Sequence, residues 1–188
     1  MTAVRRRGIR TLTKRLLEEN QICEPPVDVE VLAKSLGVVI REESAEDNLS
    51  GFLLRDIKNY KAVIGVNYKH SDNRKRFTIA HELGHLFLHE GEQIHVDRGI
   101  QINLRNEAAS QGSLIAEKEA NLFAAELLMP AHFIHKYLEN KVALDLEKEG
   151  IEPLTNEYQV SIEKLAKDYQ VSTQAMTFRL AYLKYLTL

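Results

Sequence analysis

The chain contains a single cysteine, Cys23, so no disulfide can form within it. A cross-linked scaffold is excluded, and the scarcity of cysteine points to a reducing cytoplasm. Long apolar runs are missing as well: no stretch approaches the roughly 18 residues that a membrane span requires. The opening MTAVRRRGIRTLTKRLL is basic. It lacks an apolar segment followed by a small-residue cleavage site, so it does not read as a signal peptide. Neither sign of charge is in excess. The formal net charge is −2, which offers no bulk attraction to nucleic acid or to an anionic membrane. Low-complexity segments and internal repeats are absent too. What is present is ordinary for a globular protein, 44% hydrophobic and 28% charged over 188 residues, enough for one sizeable core or two small ones.

Periodicity divides the chain. Residues 3–19 read as an amphipathic helix with Val4, Ile9, Leu12, Leu16 and Leu17 on one side. Pro25 and Pro26 break it, and Asp28 then caps a second helix, VEVLAKSL, which stops at Gly37. GVVIREE, SGFLLRD and KAVIGVN are short, apolar or β-branched, and separated by turn residues, as strands are. A long helix is expected over about 72–89, ended by Gly91. Residues 92–113 are polar, with one candidate strand at GIQINLR. Helices follow at SLIAEKEANLFAAELLMP, about 131–139, about 161–169 and 173–186, the last capped by Ser172. The charged stretch 140–157 contains Gly150 and Pro153 and reads as a connector or insertion. Helices on one side of a small sheet make an α+β fold. The expected organisation is a core over 1–139, the connector over 140–157 and a helical, helix-turn-helix-like extension over 158–188.

The helix at 72–89 carries RFTIAHELGHLFLH. His81 and His85 stand four apart, about 40° of helical rotation, so both imidazoles project from one face. Two imidazoles on adjacent turns can hold one zinc ion. Glu82 lies about 100° round from His81. It suits the place of a general base, taking a proton from a water whose pKa the metal lowers. With 7 histidines, a shuffled chain would show this pentad only roughly two or three times in a hundred. Phe77, Ile79, Ala80, Leu83, Leu86 and Leu88 make the helix apolar round most of its circumference, hence buried. A buried helix does not carry unpartnered polar groups, because they cost several kcal/mol. Gly84 costs about 1 kcal/mol relative to alanine, which implies a close approach to the backbone there, by a strand or a substrate.

Catalytic zinc takes three protein ligands and keeps one open position. The helix at 114–128 offers Glu117, Glu119 and Glu126. Its apolar stripe is Ile115, Leu122, Phe123, Leu127 and Leu128. Glu119 and Glu126 share the buried side, whereas Glu117, about 200° from Glu119, is expected to face solvent more.

FTIAHELGHLFLH followed by EANLFAAELLMP resembles the ImmA/IrrE family of zinc metallopeptidases, the M78 peptidases. PPVDVEVLAKSLGV, the strands leading into the long helix, and VSTQAMTFRLAYL are similar to the family's flanking segments, so the likeness covers most of the chain. The resemblance implies a zincin-like core. It also implies one Zn2+ held by His81, His85 and Glu119, with Glu82 as catalytic base, and it favours Glu119 over Glu126. It further implies regulatory proteolysis in bacteria or phage, the substrate being a helix-turn-helix repressor.

Four more residues are candidates for binding substrate or stabilising an oxyanion. His89 continues the four-residue spacing and can orient a ligand, stabilise the oxyanion or simply sit at a helix C-terminus. His95 and His132 are further candidates for the oxyanion. Arg105 is placed to bind a substrate carboxylate or carbonyl, or to make a surface salt bridge. The competing class is a regulatory, DNA-binding or protein-binding module without turnover. IEKLAKDYQVSTQAMTFRLAYL has helix-turn-helix rhythm. Its second helix, however, is dominated by Met176, Phe178, Leu180, Tyr182 and Leu183, with only Gln174, Arg179 and Lys184 to meet bases or phosphates. Direct DNA binding is therefore not expected. The cluster RRRGIR reads as a solvated helix face.

Overall fold

The computed structural model describes residues 2–46, 49–56, 60–90, 93–97, 107–145 and 155–186. Two helices lead the chain, α1 (Ala3–Glu19) and α2 (Val29–Ser35). Strands β1 (Val38–Glu43), β2 (Gly51–Arg55) and β3 (Ala62–Asn67) follow, then α3 (Asp72–Leu88), strand β4 (Ile94–Asp97), and helices α4 (Glu107–Leu128), α5 (Ala131–Asp145), α6 (Thr155–Asp168) and α7 (Thr173–Tyr182). The fold is α+β.

Local chemistry sets the boundaries. The Asp28 carboxylate accepts from the Val31 N–H and starts α2, and the Ser172 hydroxyl accepts from Ala175 N–H and starts α7. Each thereby satisfies a donor that a helix leaves orphaned at its first turn. After α2 the chain turns through Gly37 at φ 78°, a left-handed conformation that costs a glycine nothing.

The sheet is mixed, in the order β1-β3-β2-β4. β1 runs parallel to β3, while β2 is antiparallel to both β3 and β4. Leu53 and Ile64, paired in register, point into the core beneath α3. One apolar cluster joins them to Ile9 and Leu17 of α1, Ile79 and Leu83 of α3, Phe123 and Leu127 of α4, and Tyr169, Met176 and Leu180 near the end of the chain. Among the described residues no helix is long and apolar enough to cross a membrane.

Four elements differ from their sequence expectation. β4 falls in the stretch read as polar and ambiguous. It is four residues long, and its identity comes from pairing with β2 rather than from its own composition. α4 begins at Glu107, ahead of the apolar repeat that marked it. α5 continues to Asp145 and α6 starts at Thr155, so both helices enter the stretch read as a connector. The candidate strand GIQINLR and the residue Gly91 lie outside the described residues.

Candidate metal centre

α3 is buried over one continuous run, Thr78 to His85. The sheet lies under it and α4 lies alongside. The contact with α4 is close at Gly84, where a Cβ would stand 2.9 Å from Ala120 Cα and 3.2 Å from Phe123 Cβ. A helix, not a strand or a substrate, is thus what the missing side chain admits. Gly51 serves the other flank, where a Cβ would meet Thr78 Cγ2 and, at 2.7 Å, the Gly65 carbonyl oxygen.

This packing brings three polar side chains together. The Nε2 atoms of His81 and His85 stand 3.0 Å apart. Glu117 of α4 closes the triangle, with Oε2 3.2 Å from His81 Nε2 and Oε1 3.3 Å from His85 Nε2. Ligands held about 2.0–2.2 Å from a tetrahedral zinc ion are roughly 3.3 Å from one another. The three distances lie near that figure, each histidine facing a different oxygen of the one carboxylate, and the imidazole–imidazole–carboxylate donor set suits the ion. The cluster is compatible with a metal ion. Burial pushes the Glu117 carboxyl up, but hydrogen bonds from the two histidines outweigh it and hold the group well below the usual carboxylate range. Glu117 is therefore an anion, as a ligand must be.

Glu119, the expected third member, is engaged elsewhere: its Oε2 lies 3.1 Å from His89 Nε2 and accepts from Arg5 Nε at 3.0 Å. The apolar stripe of α4 places Glu119 on a buried side and Glu117 more toward solvent, as found, but α4 is buried on more than one side. The stripe meets the general core. The strip against α3 is made of small and polar residues, Glu117, Ala120 and Asn121, which carry little hydrophobic signal. Glu126, the rival, is buried under Arg179 and Arg10, at 2.6 Å and 2.8 Å, and joins α4 to α7 and α1.

The model of the M78 peptidases, described as the IrrE N-terminal-like domain, matches residues 33–181. The chain belongs to the M78 peptidase family. No curated protein matches it. Among solved structures, a Mycobacterium tuberculosis transcriptional regulator matches with a TM-score of 0.58 at 17% identity, over 93% of this chain and 46% of the other. The chain thus spans about half the length of that regulator, and the likeness is one of fold.

In this M78 domain Glu82 is wholly buried on the same turn as the histidines. Arg55 of β2 donates through Nη2 to the His85 carbonyl at 2.9 Å. Burial lowers the Arg55 pKa while the Glu82 carboxylate raises it, which places the two groups within each other's field. Of the four residues expected to meet substrate or oxyanion, two lie at the cluster. The His95 ring, carried in by β4, is centred 4.0 Å from that of His85, with Nε2 3.8 Å from Glu117 Oε1. His89 sits behind His85, its Nδ1 3.2 Å from His85 Nδ1. Burial keeps the His89 pKa below its ordinary value despite the hydrogen bond to Glu119. His132 stands beside Phe133, and the charges acting on it are Lys14, Glu18 and Glu126, remote from the cluster. Arg105 lies outside the described residues.

Sequence reasoning did not find Asn121 or Arg5. Asn121 Oδ1 lies 3.1 Å from His81 Nδ1, four residues after Glu117 and so on the same face of α4. That i, i+4 pairing of a carboxylate and an amide was the available signal.

Proposed function

We infer that the protein is a zinc metallopeptidase with a zincin-like core. It hydrolyses a peptide bond in a protein substrate, a helix-turn-helix transcriptional repressor. The observation that carries this reading is the triangle of His81, His85 and Glu117, edges 3.0–3.3 Å, on the helix that also buries Glu82. His81, His85 and Glu117 would hold the ion. Zinc, when bound, supplies Lewis acidity that polarises the scissile carbonyl and acidifies the attacking water. Glu82 takes the proton from that water and passes it to the leaving amine. Arg55 sets the charge balance around Glu82.

Among the described residues His95 is best placed to meet the oxyanion. Both ring nitrogens of His89 are already engaged, by His85 and Glu119. Among the described residues β4 has β2 as its sheet neighbour and stands at the end of the strand order, the kind of edge to which an extended peptide can add. The repressor as substrate rests on the family. The Mycobacterium tuberculosis neighbour, a transcriptional regulator, favours a second reading, a metal-holding regulatory module without turnover. A DNA-reading role is not supported by α7, whose Arg179 turns inward to Glu126 and Met129 while Phe178 is exposed.

Co-expression with a repressor encoded beside the gene separates the two readings. Glu82→Gln should leave zinc content intact while cleavage falls by about 10²–10⁴-fold. A repressor left whole by the zinc-loaded wild type would favour the module without turnover.

A further inference from the structure

The basic cluster of α1 and the exposed aromatic side chains of α7 meet on one surface. Arg10 joins them. Its Nη2 donates to the Tyr182 hydroxyl at 3.1 Å, and its guanidinium stands 5.5 Å from the centre of that ring. Arg179 stands 5.8 Å from the same ring. Phe178 precedes Tyr182 by one helical turn, so the two exposed rings share a side of α7. Tyr185, also exposed, follows with its hydroxyl 3.0 Å from His135 Nδ1 of α5. On α1, Arg6 and Arg7 lie one turn before Arg10, and both are exposed.

Local structure does not call for this arrangement. The helix dipole disfavours cations in the first turns, yet α1 carries Arg5, Arg6 and Arg7 there and no acidic residue in its first turn. Arg5 and Arg10 are engaged by Glu119 and Glu126. Among the described residues no carboxylate pairs with Arg6 or Arg7. The tyrosines, by contrast, are held in place, Tyr182 by Arg10 and Tyr185 by His135. Aromatic side chains already fixed make good interface anchors, because little freedom is left to lose on binding. Arg6, Arg7, Tyr182 and Tyr185 all fall outside residues 33–181, the region matched by the family.

Unpaired cations beside fixed aromatic rings suit a partner that carries both carboxylates and apolar side chains. A nucleic acid fits less well. Duplex DNA presents a negative charge about every 1.7 Å, whereas this basic stretch is short and bounded by acids. Lys14 and Arg15 pair with Glu18 and Glu19, and His135 pairs with Glu139. A long polyanion would run onto those carboxylates; a short segment need not.

We propose that the first turns of α1 and the exposed side of α7 form a docking surface for a short acidic segment of a protein partner. Its carboxylates meet Arg6 and Arg7, and its apolar side chains meet Phe178, Tyr182 and Tyr185. This surface goes beyond the proposed cleavage and stands whether or not the histidine cluster binds metal.

Fluorescence anisotropy on the full chain tests this with three labelled peptides of equal length. One alternates Glu or Asp with Leu or Phe. The second has Gln and Asn in place of the acids, and the third has Ser in place of the apolar residues. The first should bind about 10-fold more tightly than either of the others. Its affinity should fall as salt rises from about 0.05 to 0.5 M, because exposed charges are screened. Arg6→Glu/Arg7→Glu and Phe178→Gln should each weaken it by about 10-fold, and at exposed positions neither should lower Tm appreciably. Lys34→Glu/Arg41→Glu is the control. It reverses two exposed charges on α2 and β1 and should bind as wild type does. No binding, equal affinity for the acidic and amide peptides, an unaffected Phe178→Gln, or equal losses in the two double variants would overturn the proposal. So would an oligothymidylate that binds more tightly than the first peptide and is released by Arg6→Glu/Arg7→Glu, since the surface would then serve nucleic acid.

Discussion

Glu117 and Glu119 are two residues apart on one helix, yet they do different work. Glu117 meets the two imidazoles, and Glu119 meets what stands behind one of them. That the His81 and His85 imidazoles meet was legible because a four-residue spacing on a helix is a statement about direction in space. The third position was not, since it depends on how α4 rolls against α3, and that is decided by Gly84, Ala120 and Phe123. The two glutamates should separate by experiment. Glu117→Gln should lose zinc affinity by more than the roughly 10–100-fold expected for an outer partner, measured by chelator competition. If Glu119→Gln loses more than Glu117→Gln, Glu117 is not the ligand.

At the scale of elements, α3 and α4 are the pair that makes the site, and their close contact has a testable cost. Gly84→Ala gains about 1 kcal/mol of helix propensity. It also pushes a methyl to within 2.9 Å of Ala120 Cα, which is backbone and cannot swing aside. Overpacking of this kind costs about 1–3 kcal/mol. The variant should lower Tm and, because α4 carries Glu117, should also retain zinc less well; a raised Tm would show that the helices separate freely. Element types were largely legible, including the Asp28 and Ser172 caps, because caps and periodicity are local. β4 was not, since Ile94 and Val96 are 57% and 41% exposed and the strand exists through its ladder with β2. The first turns of α4 and α6 were missed for a related reason: GLU-ALA-ALA-SER and THR-ASN-GLU-TYR, as Glu107–Ser110 and Thr155–Tyr158, carry no apolar repeat.

For the molecule as a whole, Glu126 is a meeting point. Arg179 of α7 and Arg10 of α1 both bind it, with the Arg179 side chain 1% exposed. Burial raises the Glu126 pKa, but the two guanidinium groups outweigh burial and the net shift is downward. A carboxyl whose folded-state pKa is depressed contributes stability that is present above its unfolded-state value, here near 4.5. That contribution is lost as pH falls toward the folded value. The Tm of wild type should therefore fall on acidification below about pH 4.5. Glu126→Gln should be less stable by about 3 kcal/mol at neutral pH, since it leaves Arg179 buried without its counter-charge. Its acid sensitivity should also be flatter. Parallel pH profiles for the two proteins would refute the link.

α1 lies along α4, with Arg5 on Glu119 and Arg10 on Glu126, and Ile9 and Leu17 buried beneath it. A recombinant chain trimmed to the homologous region alone would start at residue 33. It would keep every candidate ligand, yet bare two acidic side chains and an oily strip on α4. Trimming by homology would thus be expected to yield stickier material than the chain that keeps its first helix.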